Sequence, residues 1–157
     1  MDWTSYQHEF AAVDALSQII VTDTTEQDWQ KILNFLKKTE VGLTFFSDGV
    51  KTALPSPLAP VFRNDGHHYR LALLFDEVTL SCDFARQDAI VLRFDPQQIT
   101  NEAKATLLFR VMSTFGRRLK KVVVLTAVNR EAQPAFRYEP GQGLIYLKLA
   151  RKLAPYA

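Results

Sequence analysis

Residues 69–94 read YRLALLFDEVTLSCDFARQDAIVLRF, and the fold is decided there. Three apolar runs alternate with polar residues and are separated by two short polar breaks. Alternation at period two puts residues i, i+2 and i+4 on one face of a strand. The first run then shows Tyr69, Leu71, Leu73 and Phe75 on one face. The second shows Val78, Leu80, Cys82 and Phe84, and the third Ile90, Leu92 and Phe94. These faces superpose in an antiparallel meander. With Asp76-Glu77 as a two-residue turn, Phe75 opposes Val78 and Arg70 opposes Asp83 on the other face. A loop at 85–89 then brings Ser81 opposite Arg93. The outer face reads Arg70, Ala72, Leu74, Thr79, Ser81, Asp83, Val91 and Arg93. That mixture suits a solvated sheet face, which antiparallel sheets tolerate, or the floor of a shallow binding surface.

Working outward toward the N-terminus, LTFFSDGVKTAL at 43–54 carries Asp48-Gly49 between alternating runs, a strong short-range hairpin signal. Its register sets Leu43 opposite Leu54, Phe45 opposite Thr52 and Phe46 opposite Lys51. Pro55, Pro57 and Pro60 oppose regular structure, so 55–68 is the longest loop and the best candidate for a recognition loop. The spacing of Trp29, Ile32, Leu33 and Leu36 predicts an amphipathic helix from about Thr25, its N-cap, to Lys38. Phe10, Val13, Leu16 and Ile20 approximate one face of a first helix over 5–20.

Toward the C-terminus, Leu108, Val111, Met112 and Phe115 form the stripe of a third helix over 101–115, capped by Thr100 or Asn101 and ended by Gly116. A strand at 121–128 follows, its Val122–Leu125 run suggesting an interior position. The connection from Phe94 to Val122 is long enough for a β–α–β crossover. Residues 136–139 and 144–149 form a final hairpin. The basic tail 151–157 reads as frayed. The expected architecture is therefore α+β, one domain over 1–157. A mainly antiparallel twisted sheet of about six to eight strands carries three helices and one β–α–β crossover.

Composition excludes more than it assigns. No apolar run reaches the roughly 20 residues of a membrane helix. The N-terminus lacks the pattern of a secretory signal, and the single cysteine fits a reducing compartment. These point to the cytoplasm. Net charge is +2, yet residues 1–100 hold 8 Lys/Arg against 14 Asp/Glu, and residues 101–157 hold 11 against 3.

No motif supplies a chemistry, and no cofactor or metal is implied. The zinc spacings, the P-loop and the Gly-x-Ser-x-Gly elbow are absent. Gly141-Gln142-Gly143 precedes a strand and reads as a hairpin turn. Cys82 points with Leu80 and Phe84 toward the core, where a thiol is a small hydrophobe. His67 and His68 read as loop residues. An enzyme reading would use either of them as a general base with Asp65 or Asp83. The basic cluster Arg117, Arg118, Lys120 and Lys121 suits a helix C-terminus. Its alternative reading is a nucleic-acid contact, aided by Arg110, Arg151 and Lys152. The leading expectation is a cytoplasmic protein-binding module that neutralises, escorts or adapts another protein, a toxin-neutralising immunity protein being one version. Its expected contacts are Phe46, Phe62, Arg63, His67 and Arg70. Nucleic-acid binding through 117–121 is the first alternative, and a small His/Asp enzyme the second.

Overall fold

The computed structural model describes residues 2–11, 16–39, 42–55, 58–62, 66–127 and 133–147. Its strands are β1 (Ser17–Thr22), β2 (Gly42–Ser47), β3 (Val50–Thr52), β4 (Tyr69–Phe75), β5 (Val78–Asp83), β6 (Ala89–Phe94), β7 (Val123–Ala127), β8 (Phe136–Glu139) and β9 (Gly143–Tyr146). They form one sheet in the order β3-β2-β4-β5-β6-β1-β7-β8-β9, every neighbouring pair antiparallel. The described chain is α+β, with nine strands instead of about six to eight.

The additional strand is β1, which lies in the middle of the sheet. The helix expected over 5–20 is replaced by a short helix α1 (Trp3–Tyr6), a 3-10 turn (Gln7–Phe10) and β1. The helical spacing of Phe10, Leu16 and Ile20 was coincidental. Phe10 is buried in the 3-10 turn, Leu16 is 45% exposed, and Val13 lies outside the described residues. Ile19, Ile20, Val21 and Thr22 are all β-branched, which stiffens χ1 and suits a pleated surface better than a helix.

The meander has the register its alternation requires. Phe75 faces Val78 and Arg70 faces Asp83; Ser81 faces Arg93. Asp76 adopts a left-handed φ of 53° to make the tight turn. Following the pairings outward gives one row of inward side chains: Phe45, Leu71, Cys82, Leu92, Ile19, Leu125, Phe136 and Tyr146. All eight are buried. The β2–β3 ladder stops at Phe45 and Thr52 and does not extend to Leu43 and Leu54.

Helix α2 (Glu26–Lys37) buries Trp29, Ile32, Leu33 and Leu36 against Leu71, Leu73, Cys82 and Leu92. The indole N–H of Trp29 donates to the Gln87 carbonyl at 3.0 Å, so the buried ring keeps its polar atom satisfied. A capping box joins Thr25 and Asp28 at its start. Lys121 Nζ reaches the Asp28 carboxylate at 2.7 Å and also the Asp23 carbonyl. Burial pushes the Asp28 carboxyl up, but hydrogen bonds from Lys121 and Thr25 outweigh it and hold the pKa below the usual carboxylate value.

Helix α3 (Glu102–Leu119) is capped by Asn101, whose side chain accepts the Lys104 N–H at 3.0 Å. It buries Leu108, Val111, Met112 and Phe115 and packs over β7, β8 and β9. The helix does not stop at Gly116. Its C-cap is Lys120 at φ 56°, and Gly116 lies in the last turn against Tyr138. A Cβ at 116 would stand 2.1 Å from Tyr138 Cδ1, so glycine here serves close packing between helix and sheet, not termination. Strand β6 leads through α3 to β7, but β1 lies between them and no hydrogen bonds join β6 to β7 directly. Strand β7 begins at Val123, and Val122 is 39% exposed. The Pro-rich stretch holds one 3-10 turn (Ala59–Phe62), whose Val61 is buried with Leu58. Residues 151–157, read as a frayed tail, lie outside the described residues, as do Val128 and residues 148–149.

Two substitutions test this packing. Gly116→Ala gains about 1 kcal/mol of helix propensity but collides with Tyr138. Overpacking costs about 1–3 kcal/mol, so the expected net result is a lower melting temperature, measured by circular dichroism. The second concerns Asp28, whose folded pKa is depressed. Its stabilisation is present above the unfolded carboxylate pKa and lost as pH falls through the folded value. Asp28→Asn should lower stability at pH 7 and shrink the difference from wild type below pH 3.8, read from denaturation midpoints against pH.

Candidate functional site

Helices α2 and α3 cover one face of the sheet. Two of the five expected contacts, Phe46 and Arg70, lie on the opposite face, which Leu74 shows open along β4, while Gln18 and Thr126 on the same face of β1 and β7 are buried. The hairpin is built by Asp48 at φ 49° and Gly49 at φ 82°, both left-handed as a type I′ turn requires. Asp48 then organises the start of β4. Its carboxylate accepts the His68 backbone N–H at 2.8 Å and meets His67 Nδ1 at 2.6 Å, while its own N–H donates to the His68 carbonyl at 2.7 Å. The His68 N–H first, then the His67 ring, hold the Asp48 carboxyl below the usual range.

Beside this turn Asp83 gathers a histidine and an arginine. His68 Nε2 lies 3.2 Å from one carboxylate oxygen, and Arg93 Nη1 donates to the other at 2.9 Å. Arg70, directly across the ladder from Asp83, places its guanidinium 4.5 Å over the Phe46 ring. Phe46, Arg70, Asp83 and Arg93 are all half-buried. Leu74 stands farther along the same face of β4 and is 49% exposed. The result is a surface of ordered, largely satisfied polar groups around one aromatic ring. Guanidinium over aromatic contacts and aromatic anchors are the groups that interface cores favour.

The other expected residues are placed differently. Phe62 is half-buried, its ring centroid 5.3 Å from Trp29 and 6.0 Å from Phe84, at the margin of the core and away from the open face. Arg63 and Asp65 lie outside the described residues. His67 pairs with Asp48 instead, and both side chains are about half exposed, at 54% and 50%. The structure does pair His68 with Asp83. His8 lies in the N-terminal 3-10 turn, 3.3 Å from the Tyr146 hydroxyl, which donates to Glu9 at 3.1 Å. Burial, then the Glu9 charge, push the Tyr146 phenol up to about 12. Among the described residues no group of three or more His, Cys, Asp or Glu is arranged to hold a metal ion. No described helix is long and apolar enough to cross a membrane.

The basic cluster divides. Lys121 is committed to Asp28. Arg118 lies 3.7 Å over the Phe35 ring. Arg117 Nε bonds the Ser113 carbonyl at 3.3 Å, and Lys120 is the exposed C-cap of α3. Arg151 and Lys152 are outside the described residues.

Sequence reading missed a second feature, on the helical side. Asp28 at the start of α2 meets Lys121 beyond the end of α3, while Thr39 beyond α2 shares a cleft with Leu107 and Val111. The two helices therefore run antiparallel, with a chain of clefts along their seam. One of about 450 Å³ holds Lys31, Lys38 and Arg118. A second, of about 240 Å³, is floored by Phe35, Phe75 and Leu107. A third, of about 510 Å³, extends past Arg110 to Asp76 and Glu77. The available signal was Lys31 and Lys38, seven residues apart and so on one helix face, flanking Phe35 off the buried stripe.

Cys82 is fully buried, and burial, then the Asp83 charge, push its thiol up to about 12. A thiol reagent should fail to modify the folded protein at pH 8 and modify one thiol after denaturation. Rapid labelling without denaturant would show Cys82 accessible. Comparison with known proteins finds no matching family model, no matching curated protein and no matching solved structure.

Proposed function

We propose that this chain is a cytoplasmic protein-binding module that acts by contact through the open face of its sheet. The observation that carries this reading is the ordered group on that face: Arg70 over Phe46, with Asp83 held between His68 and Arg93. Side chains already fixed before binding lose less conformational freedom when a partner docks. Such a surface suits recognition by shape and charge register, as in a protein that neutralises or escorts another. A toxin-neutralising, immunity-type role is the concrete form of this proposal. Phe46 and Arg70 are the central contacts, His67 is a rim contact, and the partner presents an apolar group with a flanking carboxylate.

Tagged wild type and the Phe46→Ala/Arg70→Ala double variant, captured from the native host lysate and read by mass spectrometry, test this. The expected result is one stoichiometric protein partner with wild type, weakened about tenfold or more in the variant, roughly 1.4 kcal/mol. Equal capture by both, with unchanged thermal melting, overturns the assignment of the face. Nucleic acid in the eluate, released by salt and lost on reversing Arg117 and Lys120, supports nucleic-acid binding instead.

A further inference from the structure

The seam between α2 and α3 has a charge distribution that the open sheet face lacks. Lys31, Lys38, Arg110 and Arg118 border it, and among the described residues none of the four has a carboxylate partner. Other cations are neutralised nearby: Lys121 by Asp28 at 2.7 Å and Lys104 by Glu77 at 3.3 Å. Between these four cations, of which Arg118 rests on the Phe35 ring, lies an apolar floor of half-buried Phe35, Phe75 and Leu107. At 1.5 Å per residue, Lys31 and Lys38 are about 10 Å apart along α2, and Arg110 and Arg118 about 12 Å apart along α3. The two cation pairs thus flank the floor over about two helical turns.

We propose that this seam is a second docking site, taking an acidic amphipathic segment of a partner protein. Its apolar side chains lie on Phe35, Phe75 and Leu107, and its carboxylates meet Lys31, Lys38, Arg110 and Arg118. This is the groove mode of recognition, in which one face of a segment is anchored and the flanks set charge register. The floor argues against a nucleic acid. Phe35 already carries Arg118 on its ring, which withdraws that face from base stacking. The proposal stands apart from the sheet-face reading, because it uses different residues on the opposite side of the sheet.

A fluorescein-labelled peptide of about 16 residues, roughly 24 Å as a helix, is the probe. Leucine occupies one helical face and glutamate the rest. Its partners are the same peptide with lysine for glutamate and a single-stranded DNA of similar length. Fluorescence anisotropy should show saturable binding of the glutamate peptide, about tenfold or more tighter than the lysine peptide and weakening with salt. Lys31→Glu/Lys38→Glu should reduce it about tenfold or more. Arg110→Glu, on the other helix, should reduce it independently, so either variant serves if the other melts. Three results overturn the proposal: no binding of the glutamate peptide, tighter binding of the DNA through the same cations, or self-association of the chain that these substitutions abolish.

Discussion

The structure depends on one constraint, the register of β1 between β6 and β7. Ile19 faces Leu92 on one side and Leu125 on the other, and Val21 faces Ile90 and Val123. Both β1 side chains are completely buried. Full burial of such a side chain contributes roughly 1.5–3 kcal/mol, but the strand's larger effect is connective. Remove it and the sheet separates into β3-β2-β4-β5-β6 and β7-β8-β9, each with a new edge of unpaired backbone groups. A slip of one residue would turn Ile19 and Val21 outward and bring Gln18 and Ile20 to the core. The strand is the first of the nine described yet pairs with segments beginning at Ala89 and Val123, so the middle of the sheet forms only through long-range contacts. Such topology slows folding, because loop closure must precede the stabilising pairs.

What was legible in the sequence was local. The meander register follows from period-two alternation and two short breaks. It placed Arg70 opposite Asp83 and Ser81 opposite Arg93. Helix α2 was legible from its stripe and its cap. Errors arose where tertiary packing decided between local alternatives. An apolar β-branched run served equally as the end of a helix or a buried strand, and only two partners distant in sequence settle it. Gly116 carried the usual signal of a helix end, yet its use is the approach of Tyr138 from β8. Phe62, in a Pro-rich loop, read as exposed because nothing local reveals that Trp29 and Phe84 receive it. The Asp48 contacts with His67 and His68 cross 19 and 20 residues, beyond any local pattern.

Packing brings the unevenly charged parts of the chain together. The acidic first 100 residues and the basic remainder do meet: Lys121 pairs with Asp28, and Lys104 with Glu77. Lys121 does more than neutralise, since Asp28 also caps α2, so one ion pair fixes the start of α2 against the segment leaving α3. Charge that is linear in sequence thus becomes a clamp between the two antiparallel helices. What the clamp does not absorb is left along their seam.

The two faces of the sheet therefore present opposite electrostatic conditions. On the open face, Asp83 is shared by His68 and Arg93, and Arg70 rests on Phe46. Under the proposed reading, a partner there would have to match a pattern already in place, which favours specificity. Along the helix seam, Lys31, Lys38, Arg110 and Arg118 border an apolar floor, and none of the four is ion-paired to a carboxylate among the described residues. Unpaired surface cations attract acidic groups over about a Debye length and lose that reach as salt rises. On the two proposals together, one small sheet would carry a selective surface and a salt-sensitive one. Because the helices and the sheet share a single buried core, with Trp29 and Phe115 meeting Leu71 and Leu92 inside it, each surface is held in shape by the packing beneath the other.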